Sequence, residues 1–252
     1  MIFWAMLLLG TLIGLVGAGG AGLTITLLTV GFGVPIHTAL AVALTSMVFT
    51  TISGTVSHLR QHEVELRTGL IIGSGGIVGS LLGTAVSDKM PSGELSSMTA
   101  LMLLSSSLIV YIKLYHEDWL DRHFPVRSSL LRGPKLYGYG IMTGVLSGFL
   151  AGAFGIGAAA YIQLALMVIF GIPLLKAIGT CMLIIIPISA AGGIGYFLSG
   201  HLVLPIFLQT LFGLMIGAWF GARLTHLAPL SFLKATIVAM PTVGGLLILV
   251  SH

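Results

Sequence analysis

Apolar residues fill eight long blocks of the chain, at about 2–30, 35–57, 67–87, 94–112, 136–170, 174–198, 202–222 and 230–250. About 20 apolar residues suffice to cross the hydrocarbon of a bilayer as a helix, and blocks this long exceed what a buried core helix needs. The pattern predicts eight membrane segments. The first and fifth stand apart, because at 29 and 35 residues they are too long for one ordinary span. Gly14, Gly17, Gly19, Gly20 and Gly22 punctuate the first; Gly144, Gly148, Gly152, Gly155 and Gly157 punctuate the fifth. Such runs are expected to unwind a helix, and unwound backbone is tolerated at membrane depth only where it lines a cavity or packs against protein. Matching interruptions in two halves point to a transporter's binding site.

A hydrophilic stretch of mixed charge, 113–135, divides the blocks four and four. The expected organisation is a first transmembrane repeat over 1–112, a linker over 113–135 and a second repeat over 136–252. Gly33-Val34-Pro35 recurs as Gly171-Ile172-Pro173, an offset of 138. At that offset Gly75, Gly79 and Gly83 pair with Gly213, Gly217 and Gly221, and Pro91 pairs with Pro229. Small residues every four positions let helix backbones approach closely. The fold class is therefore an all-α polytopic membrane protein built from two related four-segment halves.

Composition narrows the function. The chain is 56% hydrophobic and 7% charged, against about 25% charged residues in a soluble domain, so no water-facing surface can be assembled from it. The net charge of +4 comes from 11 basic residues with no basic stripe interleaved with aromatics, so nucleic acid is not an expected partner. The single cysteine, Cys181, excludes an internal disulfide and a cysteine metal cluster. The eight histidines form no HExxH pattern, Ser105-Ser106-Ser107 is no nucleophile motif, and no GxxxxGK[ST] phosphate loop is present. Neither an enzyme, nor a metal or other cofactor, nor ATP-driven transport by this chain alone is expected. The first block lacks a basic leading region and reads as part of the fold rather than a signal peptide.

The basic residues choose between two topologies. If every block crosses once, Arg60, Arg67, Lys113, Arg122, Arg127, Arg132 and Lys135 share one side, and Lys89, Lys176, Arg223 and Lys234 the other. If blocks one and five turn back at their glycines as helical hairpins, ten of the eleven share a side and only Lys89 lies opposite. The positive-inside rule favours the second arrangement. The linker is then cytoplasmic, both termini face away from the cytoplasm, and the halves have opposite orientations, as inverted repeats do.

The motifs carry a family likeness. The opening Gly10-Thr-Leu-Ile-Gly14-Leu-Val-Gly17-Ala-Gly19-Gly20 is followed by Gly33-Val34-Pro35 and by a helix beginning Ala41-Val42-Ala43-Leu44-Thr45-Ser46 and ending at Ser57-His58. The second half has Gly144-Val-Leu-Ser-Gly148-Phe-Leu-Ala-Gly152-Ala-Phe-Gly155-Ile-Gly157, Gly171-Ile172-Pro173 and Ala177-Ile178-Gly179-Thr180-Cys181. Over essentially its whole length the chain resembles the TauE/SafE family of membrane permeases, also called sulfite exporters or anion permeases. The resemblance implies a multi-pass protein of the cell membrane, in bacteria the inner membrane, that exports a sulfur-containing anion such as sulfite, a sulfonate or sulfoacetate. Organic acids are the alternative cargo, and a small-anion channel the alternative mechanism. Gly179-Thr180-Cys181 stands where many relatives have a Gly-Thr-Ser-like run, and Thr45 matches Thr180 at 135 rather than 138.

The candidate substrate site follows from the breaks. Gly17, Gly19, Gly20 and Gly22 form one cradle, and Gly152, Gly155 and Gly157 the other; N–H groups freed at a broken helix attract anions. The alternative for these glycines is close helix packing. Thr45, Ser46, Thr180 and Cys181 offer short polar groups that either reach an anion or satisfy their own helix carbonyls. Gln163 is the polar amide of block five and faces ligand or a neighbouring helix. Pro187 can kink the sixth block as a gate or merely shape packing. His37 and His58, at the two ends of block two, are candidates for proton coupling, and Lys176 for snorkelling to the cytoplasmic interface. Partners are thus a small anion and membrane lipid. Coupling to protons is open, because anion efflux from a negative-inside cell is already downhill by about 2.3 kcal/mol per charge per 100 mV. Monomer and homodimer are both open.

Overall fold

Proline and glycine punctuation sets the helix boundaries. Pro35 and Pro173 hold extended backbone (ψ 141 and 151) immediately before two 25-residue helices. Proline costs nothing there, since the first N–H groups of a helix have no internal partner. The computed structural model describes residues 1–16, 21–115, 133–155, 159–224 and 230–250. Among these the elements are α1 (Ile2–Val16), α2 (Ala21–Thr26, continued as a π-helical turn over Leu27–Gly31), α3 (Ile36–Arg60), α4 (Leu66–Ser87), α5 (Ser92–Tyr115), α6 (Pro134–Phe154), α7 (Ala159–Val168), α8 (Leu174–Leu198), α9 (Leu204–Leu224) and α10 (Leu230–Val250). No strand occurs among the described residues. Five helices, within 36–60, 66–87, 92–112, 134–154 and 176–198, are long and apolar enough to cross a membrane. The remaining described helices are also apolar, and large side chains such as Trp4, Leu70, Leu101, Met142, Phe197 and Trp219 are exposed. Lipid is the medium in which that surface is stable.

Among the described residues all eight predicted blocks contain helix, and the fifth is interrupted at Gly155. The division differs from the one expected. A hairpin of two helices of about 12–17 residues each is the expectation for 136–170, whereas α6 has 21 residues and α7 has 10. At 1.5 Å per residue α6 is about 31 Å long, enough for a full crossing. Gly144, Gly148 and Gly152 do not unwind it. Each faces the backbone of α4, so that an added Cβ would collide with Ile72, Gly76 and Ser80 respectively. Close packing supplies the stability that glycine forfeits inside a helix. The helix stops only at Gly155, whose φ of +62 is left-handed and whose N–H donates to Ala151 O at 2.8 Å.

Backbone-to-backbone contacts set the helix directions. Gly75, Gly79 and Gly83 of α4 meet Ile141, Val145 and Phe149 of α6 in ascending order, so these helices run parallel. Gly213 meets Phe3 and Leu7, and Gly217 meets Leu7 and Thr11, so α1 and α9 also run parallel. In α4 and α8, Gly69, Gly73 and Gly76 meet Leu183, Pro187 and Ile188, again in parallel. Thr45 lies against Gly193 and Gly54 against Met182, which makes α3 antiparallel to α8. Ser107 reaches Thr242, and Ala100 lies at Gly245, which makes α5 antiparallel to α10. The bundle therefore has a basic end, with the α3–α4 turn and the first residues of α6 and α8, and an opposite end, with the first residues of α1, α3, α5 and α9. Lys176 forms an ion pair with Glu65 across 3.2 Å at the basic end. Lys176 therefore lies at the same end as Glu65 and the α3–α4 turn.

One turn geometry occurs twice. Glu63 N donates to His58 O, and His201 N to Tyr196 O, both at 3.0 Å. The residue inside each turn has positive φ, His62 at 58 and Gly200 at 76. Val34 N donates to Leu28 O at 2.9 Å and Ile172 N to Leu166 O at 3.0 Å. All these pairs differ by 138, and α3 and α8 have equal lengths and matching boundaries at that offset. The expected match of Thr45 to Thr180 is therefore corrected: Thr180 corresponds to Val42, and Thr45, one turn deeper, to Leu183.

Candidate functional site

Two short helices begin inside the bundle. Ala21, the first residue of α2, and Ala159, the first of α7, belong to one apolar cluster with Met47, Ala151, Ile162, Cys181 and Ile184. The start of a helix is, in general, an end that favours anions. Beside Met47, Ser46 is 1% exposed and its Oγ has no hydrogen-bond partner. A buried hydroxyl left unpaired costs stability, and among the described residues Thr55, Thr99 and Thr210 share this condition with Ser46.

The other predicted residues fall in different places. Gly17, Gly19, Gly20 and Gly157 lie outside the described residues. Gly22 is buried in α2 against Leu103, Gly152 against Ser80, and Gly155 against Leu40 and Ile25. Thr45 Oγ1 donates to Ala41 O at 2.7 Å, the ordinary back-bond of a helical threonine. Thr180 lies near the basic end, where its Oγ1 accepts from Glu65 N at 2.9 Å. Cys181 is buried, its thiol 3.6 Å from Ala159 O at the start of α7. Gln163 is half-buried on α7 and is not without a partner. Pro187 sits inside α8 with its ring on Gly73.

The remaining candidates join two clasps at the ends of the bundle. At the basic end, His58 Nδ1 lies 3.3 Å from Glu63 Oε2, beside the Lys176–Glu65 pair. At the opposite end, His37 Nε2 lies 3.0 Å from Ser87 O, and its ring stacks on His201. His201 Nε2 is 2.7 Å from Asp88 Oδ1. Tyr196, fully buried, donates its hydroxyl hydrogen to Gly152 O at 3.1 Å and receives one from Ser87 at 2.7 Å. The sequence reasoning missed Glu63, Glu65, Asp88, Tyr196 and His201. A signal existed, because the offset of 138 carries His58 onto Tyr196 and Glu63 onto His201.

A bundle of long lipid-facing helices around two interior helix starts, with a clasp at each end, defines a multi-pass membrane protein. The model of the family described as "Sulfite exporter TauE/SafE" matches residues 2–248, so the chain belongs to that family. It is similar to the probable membrane transporter protein YdhB of Bacillus subtilis, with 39% identity over 99% of both chains. It is also similar to the probable membrane transporter proteins YunE and YjnA of the same organism. YunE is 28% identical over 86% of this chain and 84% of its own, and YjnA 26% over 92% and 93%. No solved structure matches the chain significantly. The protein is a membrane transporter, not an enzyme.

Proposed function

We propose that this transporter exports a small sulfur-containing anion, such as sulfite, a sulfonate or sulfoacetate, by alternating access between two inverted halves. The observation that carries the proposal is the buried Ser46 hydroxyl, which has no hydrogen-bond partner and directly precedes Met47, a member of the apolar cluster that holds Ala21 and packs against Ala159. Partial positive charge from two helix ends and a hydroxyl donor bind an anion without a buried arginine. The cargo class follows from the family description.

The helix directions support the inverted halves. Segment one begins and ends at the end opposite the basic one, and segment five begins and ends at the basic end. Each then acts as a re-entrant hairpin, and residues 1–112 and 136–252 enter the membrane from opposite sides. The crossed packing of α1 on α9 and of α6 on α4 is what a two-fold between the halves produces. Among the described residues Arg60, Arg67, Lys113, Lys135, Lys176, Arg223 and Lys234 lie toward the basic end and Lys89 toward the other, which points the basic end to the cytoplasm. In this reading Gly17, Gly19, Gly20 and Gly157 complete the cradles, Pro187 shapes the packing of α8 on α4, and the two clasps close alternately.

The test is flux by purified protein in liposomes, with sulfite, sulfoacetate, thiosulfate and simple carboxylates offered separately. Saturable movement of the sulfur anions supports the proposal. Movement of carboxylates alone reassigns the cargo. No movement under a membrane potential or a pH gradient of either polarity refutes it.

A further inference from the structure

The two clasps differ in chemistry. The basic end pairs a lysine with a glutamate, whereas the opposite end stacks two imidazoles. The rings of His37 and His201 have centroids 5.0 Å apart and planes at 27°. A carbonyl can only accept, so His37 presents an Nε2–H to Ser87 O. His201 presents Nε2 to the Asp88 carboxylate. Tyr196 approaches His201 from α8, with ring centroids 6.3 Å apart. Lys89 and Glu94 are the other charged side chains of this end among the described residues; both are exposed, and neither forms an ion pair with the rings. Both histidines are partly exposed.

We propose that His37, His201 and Asp88 form a proton-binding site that controls this mouth of the transporter. The inference rests on the reading that this end faces away from the cytoplasm. One proton, held by His201 against Asp88, keeps the clasp shut. A second, on His37, meets no carboxylate and places two cations face to face, which opens the clasp. Histidine changes charge between pH 5 and 8, so external acid opens the mouth.

A reporter cysteine tests this directly. Thr38, next to His37, is 8% exposed, and Thr38→Cys in a Cys181→Ser background places a buried thiol one residue from the clasp. Gly93→Cys, at an exposed position of the same end with no neighbour within 4 Å, corrects for thiol ionisation and reports sidedness. The ratio of the two labelling rates with a membrane-impermeant maleimide is measured in proteoliposomes from pH 8 to pH 5.5. The ratio should rise several-fold on acidification and stay flat in His37→Gln and in His201→Gln. A flat ratio with both histidines present, or an equal rise in both variants, overturns the proposal. Labelling of Gly93→Cys only from the cytoplasmic side overturns the outward assignment, while the ratio read from that side still decides the clasp. The readout needs no transported anion, so it stands apart from failure of the flux experiment.

Discussion

The α4–α6 seam offers a comparison in which one chemical change has opposite consequences on one helix. A Cβ at Gly148 would lie 2.8 Å from Gly76 Cα and 2.9 Å from Gly76 C, and closer still to the carbonyl oxygen. Ordinary carbon contacts need about 3.5–4.0 Å, so the backbones must part by about 1 Å, and a gap of that size forfeits a quarter to a half of each contact it opens. Backbone cannot rotate away as a side chain would, so Gly148→Ala should cost about 1–3 kcal/mol, or about 3–10 °C in Tm. Gly138 lies on the exposed face of the same helix with nothing within 4 Å of an added Cβ. Gly138→Ala should therefore be neutral or stabilise by up to about 1 kcal/mol through helix propensity. Cys181, the one cysteine and buried, reports unfolding through a thiol-reactive fluorogen. If Gly148→Ala melts with Gly138→Ala, the close-approach reasoning fails.

Other substitutions separate structural from functional roles. Ser46→Ala should leave stability unchanged or raise it by up to about 1 kcal/mol, because an unpaired hydroxyl is removed, while lowering sulfite flux several-fold; lost stability with intact flux contradicts a ligand role. Tyr196→Phe strands the Gly152 carbonyl and the Ser87 hydroxyl and should cost about 1–3 kcal/mol, read in the same melt. The Lys176–Glu65 pair is partly exposed, so a double-mutant cycle should return a coupling below about 1 kcal/mol, and a larger value would make it a structural bridge rather than a releasable clasp.

The blocks of lipid-facing helix were legible from hydropathy because few polar residues interrupt them. Gly144, Gly148 and Gly152 were misleading, since a glycine that breaks a helix and one that seats a neighbour look alike in one dimension. Their four-residue spacing, shared with Gly75, Gly79 and Gly83, was the better guide. The shift of Thr45 against Thr180 came from matching hydroxyls, whereas the prolines and turns hold the register at 138. The clasps were hidden because their partners lie far apart in sequence, as Glu65 does from Lys176 and Asp88 from His201. Ser46 was nameable as a candidate, but its missing partner is a property of packing alone.

Counterflow is the most direct test of transport by alternating access. Liposomes holding purified protein and millimolar unlabelled sulfite are diluted into a trace of labelled sulfite with the membrane potential clamped at zero. A carrier whose single site faces each side in turn gives transient accumulation of label above equilibrium, and Ser46→Ala diminishes it. Equilibration without overshoot, or conductance that does not saturate, contradicts alternating access and assigns these helices to a channel.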